Sequence, residues 1–122
     1  MRKSCYDCVR KHLGSAGVFI KETEMGYPDY DIWAIGELEH AADECLRDNY
    51  DLAMTIREHR LRWTYDRKWV IPFEDMNRYI KACVLAESSG ADIPGVPDEL
   101  TTGLGIETGS DGTRIYSGDT RP

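Results

Sequence analysis

Three stretches decide the fold: Cys5-Tyr-Asp-Cys-Val-Arg-Lys-His-Leu-Gly-Ser-Ala-Gly-Val-Phe-Ile20, the turn Gly26-Tyr-Pro-Asp29, and Ala34-Ile-Gly-Glu-Leu-Glu-His-Ala-Ala-Asp-Glu-Cys45. In the first, Cys5, Cys8, Val9, His12, Leu13, Ala16, Phe19 and Ile20 recur at the spacing of one helix face. Ser4 and Asp7 ahead of that run resemble a capping box. Gly26 suits a helix C-cap and Pro28 suits the first turn of a new helix. The second helix runs from about Tyr30 to Arg47, with Ala34, Ile35, Leu38, Ala41, Ala42 and Cys45 as its apolar stripe. Two helices joined by so short a turn fold back as an antiparallel hairpin.

Outward from the hairpin the pattern stays helical. Asp48-Asn49 can end the second helix or cap a third, whose stripe is Leu52, Ile56, His59 and Trp63. The run Arg67-Lys-Trp-Val-Ile-Pro72 breaks the period and is extended, because the residue before proline avoids the helical region. A fourth helix follows from Glu74 to about Ser88, carrying Met76, Ile80, Cys83 and Val84 on one side. The expectation is all-α: a small bundle of about four helices followed by a Gly-rich, extended C-terminal tail.

Composition divides the chain after Glu87. Residues 88–122 hold seven of the 11 glycines, three of the five prolines, six acids and two arginines. Such a segment has too little apolar surface to offset its own ordering entropy. Residues 1–87 are therefore read as the helical domain and 88–122 as an acidic tail. Ile106-Glu-Thr108 and Thr113-Arg-Ile-Tyr116 around Gly109-Ser-Asp-Gly112 give a weak hairpin signal within the tail. Leu104, Ile106, Ile115 and Tyr116 are the side chains expected to dock it.

The 122 residues carry 22 acids against 15 Lys and Arg, a formal charge of −7. That balance argues against a general polyanion binder. The sequence contains no apolar run of membrane-spanning length, and the basic start Met1-Arg-Lys3 gives way at once to Ser4-Cys-Tyr-Asp7, so neither a membrane span nor a signal peptide is expected.

Cys5-x2-Cys8-x3-His12 is the sharpest local feature. On a helix these positions fall at about 0°, 300° and 340°, so all three face one way. Two thiolates and one imidazole can ligate zinc, with a fourth ligand from the facing helix. Folding about the turn sets Cys45 level with position 10, midway between Cys8 and His12, and His40 level with position 15, about one turn away, which makes Cys45 the preferred fourth ligand and His40 the reserve. The other reading stays open: cysteine is a small, often buried hydrophobe, and all three residues lie on the core face.

Glu37-Leu-Glu-His40 is a Glu-x-x-His pair, the element that di-iron bundles use twice. Glu37, Asp43, Glu44 and Asp48 also line up as in the acid-rich Mg2+ sites of helical nucleotide pyrophosphatases. A metal-dependent enzyme of either kind, using Glu37 and His40, is the alternative to a binding protein. Residues 57–69 concentrate Arg57, Arg60, Arg62, Arg67 and Lys68 around Trp63, Tyr65 and Trp69. That segment can grip nucleic acid or an acidic partner, or it can be a helix with Trp63 inside and arginine stems over apolar surface.

The blocks Cys5-Tyr-Asp-Cys-Val-Arg-Lys-His-Leu13, Gly26-Tyr-Pro28 and Ala34-Ile-Gly-Glu-Leu-Glu-His-Ala41 resemble a group of small, mostly uncharacterised proteins encoded by bacteriophages and prophages. The resemblance covers about a third of the chain and carries over Cys5, Cys8 and His12. It implies a viral setting, in the host cytoplasm or the virion, and no set activity. The expectation for function is a small acidic interaction protein that binds a protein partner or forms a homo-oligomer, with a structural zinc site as one of the two readings of its cysteines.

Overall fold

The computed structural model describes residues 6–104, 106–108 and 114–116. Four helices dominate: α1 (Tyr6–Glu24), α2 (Tyr30–Cys45), α3 (Tyr50–Tyr65) and α4 (Phe73–Ser89). A short 3-10 turn, Asp98–Leu100, follows them. Two three-residue strands, β1 (Ile106–Thr108) and β2 (Arg114–Tyr116), pair antiparallel with Ile106 opposite Tyr116.

Each helix forms where the apolar period is 3–4 residues. Tyr6, Val9, Leu13, Ala16 and Ile20 bury one face of α1. Ala34, Leu38, Ala41, Ala42 and Cys45 answer from α2. Three alanines in that face let the two backbones approach closely. Helix α1 ends in a Schellman motif: Gly26 takes φ 92, its N–H donates to Thr23 O and the Tyr27 N–H donates to Glu22 O. Gly90, at φ 76, closes α4 the same way, with Ala91 N–H reaching Ala86 O. Leu52, Ile56 and Trp63 from α3 and Met76, Ile80 and Cys83 from α4 complete the interior.

Asn49 resolves the ambiguity at the α2–α3 junction. Its side-chain oxygen accepts from Leu52 N–H at 3.0 Å, so it caps α3. Its amide donates to the Tyr79 hydroxyl at 2.8 Å, and that hydroxyl donates to the Pro94 carbonyl at 2.6 Å. Asn49→Ala is therefore expected to cost about 1.5–3 kcal/mol in urea unfolding, the cap and the lost interhelical bond together. A loss below about 0.5 kcal/mol would show that the bridge to Tyr79 contributes nothing.

The fall in apolar content after Glu87 does not mark the end of the packed structure. Val96, Leu100, Thr101 and Leu104 are all buried. The chain from Pro94 to Leu104 forms a strap over α3 and α4. Backbone carbonyls hold it: Pro94 O receives Tyr79, Leu100 O receives His59 Nε2 at 2.6 Å, and Gly103 O receives Arg62 at 2.7 Å. Of the four expected docking residues, Leu104 is buried; the side chains of Ile106, Ile115 and Tyr116 lie outside the described residues.

Candidate functional site

The residues expected to meet at a metal are spread along the hairpin. Cys5 lies outside the described residues. Cys8 is exposed. His12 Nδ1 donates to the Glu37 carboxylate at 2.6 Å, and its ring stacks on His40 at 5.3 Å between centroids. Cys45 is buried, and its thiol donates back to the Ala41 and Ala42 carbonyls at 3.4 and 3.5 Å. Burial pushes that thiol up to about 12, so it stays protonated at neutral pH. Cys45 is within electrostatic reach of Tyr6 and Cys83, at the open end of the hairpin.

The pairs His12–Glu37, His12–His40, Phe19–Tyr30 and Phe19–Trp33 fix the register. It differs by about one helical turn from the expected one, which brings Cys45 toward Tyr6 rather than midway between Cys8 and His12. Among the described residues, no group of three His, Cys, Asp or Glu side chains is arranged to hold a metal ion. Zinc content of the purified chain, before and after Cys8→Ser, is the direct measure of the staple.

Four of the five acids of α2, Asp31, Glu37, Glu39 and Asp43, have partners within the chain. Glu37 takes His12 and Asp43 takes Arg57 at 2.8 Å. Asp75, at the start of α4, takes Arg78 at 2.7 Å. Glu37 and His40 converge on the His12 ring.

The basic segment 57–69 is similarly engaged. Trp63 is buried, with the Arg67 guanidinium 4.3 Å from its ring. Arg57 pairs with Asp43, Arg60 with Glu39 at 3.3 Å, and Arg67 with Asp31 at 2.9 Å. Arg62 donates to Gly103 O and covers Trp69 at 5.4 Å. The four arginines thus balance charge and hold the strap within the chain. Lys68 alone of the five proposed nucleic-acid contacts has no such partner among the described residues.

The feature that stands out is at the closed end of the hairpin. Phe19 from α1 and Tyr27, Tyr30 and Trp33 from the turn and α2 form an edge-to-face aromatic stack. Tyr30 and Trp33 centroids lie 4.9 Å apart, Phe19 and Trp33 5.6 Å, and Tyr27 and Tyr30 6.1 Å. The stack joins the core only through its half-buried members, with Phe19 packed against the buried cluster. Tyr27 and Trp33 are 51% and 53% exposed, and the flanking Met25 and Ile32 are 68% and 64% exposed.

Glu22 and Asp29 flank this patch in the chain, with no ion-pair partner among the described residues. Asp31, which also flanks it, is held by Arg67, whose hydrogen bond keeps its carboxyl below the usual carboxylate range. Asp29 sits in the left-handed region at φ 70, directly before α2, and its side chain does not cap the helix. A non-glycine residue in that conformation costs free energy, and here it leaves the carboxylate turned outward. One signal of the patch lay in the sequence: Trp33 falls off the α2 stripe of Ala34, Leu38, Ala41 and Cys45, so a tryptophan had to face away from the core.

No protein-family model, curated protein or solved structure matches this chain. Among the described residues, no helix is long and apolar enough to cross a membrane.

Proposed function

We propose that this is a small interaction protein that docks a protein partner through the aromatic tip of its α1–α2 hairpin. The observation that carries the reading is the exposure of Tyr27 and Trp33, stacked on half-buried Phe19 and Tyr30, with exposed Met25 and Ile32 beside them. Tryptophan and tyrosine are the residues most enriched in binding hot spots, because each offers a large rigid surface at low entropic cost. A contiguous exposed apolar patch with a polar rim marks a contact site in a folded protein. The flanking acids select a partner surface that is apolar with basic edges. The setting, as a virion component or a binder of a host protein, rests on the resemblance to phage-encoded proteins.

Trp33→Ala is expected to cost only about 1 kcal/mol of stability, the worth of its aromatic pairing, because half the side chain already faces water. Its effect on association is expected to be the larger one. A photo-crosslinking residue at position 32 should form protein adducts in the native setting, whereas one at exposed Tyr50, at the far end of α2 and α3, should not. Equal labelling from both positions would remove the tip from the interface.

A further inference from the structure

The face of α1 turned toward α4 carries an elongated groove in two parts. One part, of about 460 Å3, is mostly apolar: Gly14, Gly17, Val18, Trp69, Val70 and Phe73 line it, together with Lys21 and Glu24. Val18 and Val70 are exposed. A carbon added at Gly17 would meet the Phe73 ring at 3.8 Å, and one added at Gly14 would meet nothing within 4 Å. Among the described residues, no side chain fills the space above Gly14.

The other part, of about 670 Å3, is lined by Arg10, Lys11, Arg78 and Lys81, with Asp7 and Glu74 among them. Of the four cations, only Arg78 has an ion-pair partner among the described residues. In a chain of charge −7 this is a local reversal of sign. Asn77 lines both parts where they meet, and its Oδ1 is buried without a hydrogen-bond donor.

The hairpin tip has the matching inventory. It offers exposed Tyr27, Ile32 and Trp33, the unpaired carboxylates of Glu22 and Asp29, and indole and phenol donors. Apolar with acids meets apolar with bases. The tip's aromatic stack packs on the α2 side of α1, through Phe19, while the groove opens beside Gly14, Gly17 and Val18 on another side. The packed hairpin therefore cannot place its tip in its own groove.

We propose that the tip of one copy docks in the α1–α4 groove of the next, a deduction that rests on reading the tip as an interface. The contact is heterologous: each bound pair still presents one free tip and one free groove. Such contacts propagate into rings or open filaments rather than closing as a two-fold dimer. The chain is then the subunit of a head-to-tail assembly whose growth weakens with salt, because charge complementarity orients each step.

Sedimentation velocity on the full chain over a wide concentration range tests this. The mass should rise above the 13.9 kDa of the monomer as concentration increases, and less so in high salt. Trp33→Ala and the double variant Arg78→Glu, Lys81→Glu should each stay monomeric with helical content intact, since these side chains are half-exposed or exposed. Ile32→Asp and Lys11→Glu replace either variant if it fails to fold. Mixed together, the tip and groove variants should form one-to-one heterodimers and nothing larger, because only one functional tip–groove pair remains. A wild-type chain that is monomeric at every concentration overturns the assembly. Assembly by the groove variant overturns the groove alone and leaves the tip reading standing. Assembly by the tip variant overturns both. Absence of heterodimers from the mixture, with both variants monomeric, overturns the head-to-tail geometry in favour of a symmetric contact.

Discussion

His59→Ala is expected to lower the unfolding free energy by about 3–5 kcal/mol at neutral pH, through a buried void and two broken hydrogen bonds. The imidazole is buried and doubly satisfied. Trp69 Nε1–H donates to His59 Nδ1 at 3.1 Å, and His59 Nε2–H donates to Leu100 O at 2.6 Å. This arrangement requires the neutral ring: one nitrogen accepts and the other donates. Burial lowers the His59 pKa to about 4, with the Leu100 carbonyl opposing that shift in part. In the unfolded chain the same ring takes up its proton near pH 6.5.

Between pH 6.5 and 4 the unfolded chain therefore binds a proton that the folded chain does not. The stability due to this group is complete above pH 6.5 and is lost as pH falls toward 4. From pH 7.5 to 5 that loss is about 2 kcal/mol. Urea unfolding at the two pH values should show this drop in the wild type and a drop smaller by about 2 kcal/mol in His59→Ala. Equal drops in the two proteins would mean that His59 titrates normally in the folded state, and the neutral-ring network would have to be abandoned.

Much of this fold was legible because helices announce their faces locally. The stripes of α1 and α2, the glycine at 26 and the asparagine at 49 each act within four residues of where they stand. Height along a neighbouring helix is another matter. The α2 period says that Cys45 faces inward, but only the packing of Phe19 against Tyr30 and Trp33, and of His12 against Glu37 and His40, decides which turn of α1 it meets. A tighter closure at Gly26 and Asp29 is enough to move every facing pair by about a turn.

The strap was hidden for a different reason. Its anchors are the carbonyls of Pro94, Leu100 and Gly103, and every residue type has a carbonyl. Composition counted few apolar groups there, yet Val96, Leu100 and Leu104 are nearly all inside. The arginines of the basic segment read as a surface for an outside partner because their acids, Asp31, Glu39 and Asp43, lie at least 14 residues away in sequence. The aromatic tip and the groove are likewise products of tertiary structure, assembled from α1, the turn, α2 and α4.

The strap also bears on function, through Trp69. This indole lines the apolar groove, and three contacts fix it there: its N–H on His59, the Arg62 guanidinium over its ring, and Gly103 against its edge. At Gly103 a side-chain carbon would stand 2.9 Å from the Trp69 ring, and φ is 81, so glycine is required there on two counts.

Leu100 is the keystone of that arrangement, fully buried, with its carbonyl on His59. Leu100→Ala is expected to cost about 2–5 kcal/mol, because the void opens beneath a strap held by few other side chains. It should also loosen the groove wall. In a Trp33→Phe background, where Trp63 and Trp69 are the remaining indoles, Leu100→Ala should redden the emission and raise the access of acrylamide to Trp69. A neutral substitution, or a destabilised protein whose indoles stay as protected as before, would show that the strap rides on the bundle without shaping the groove.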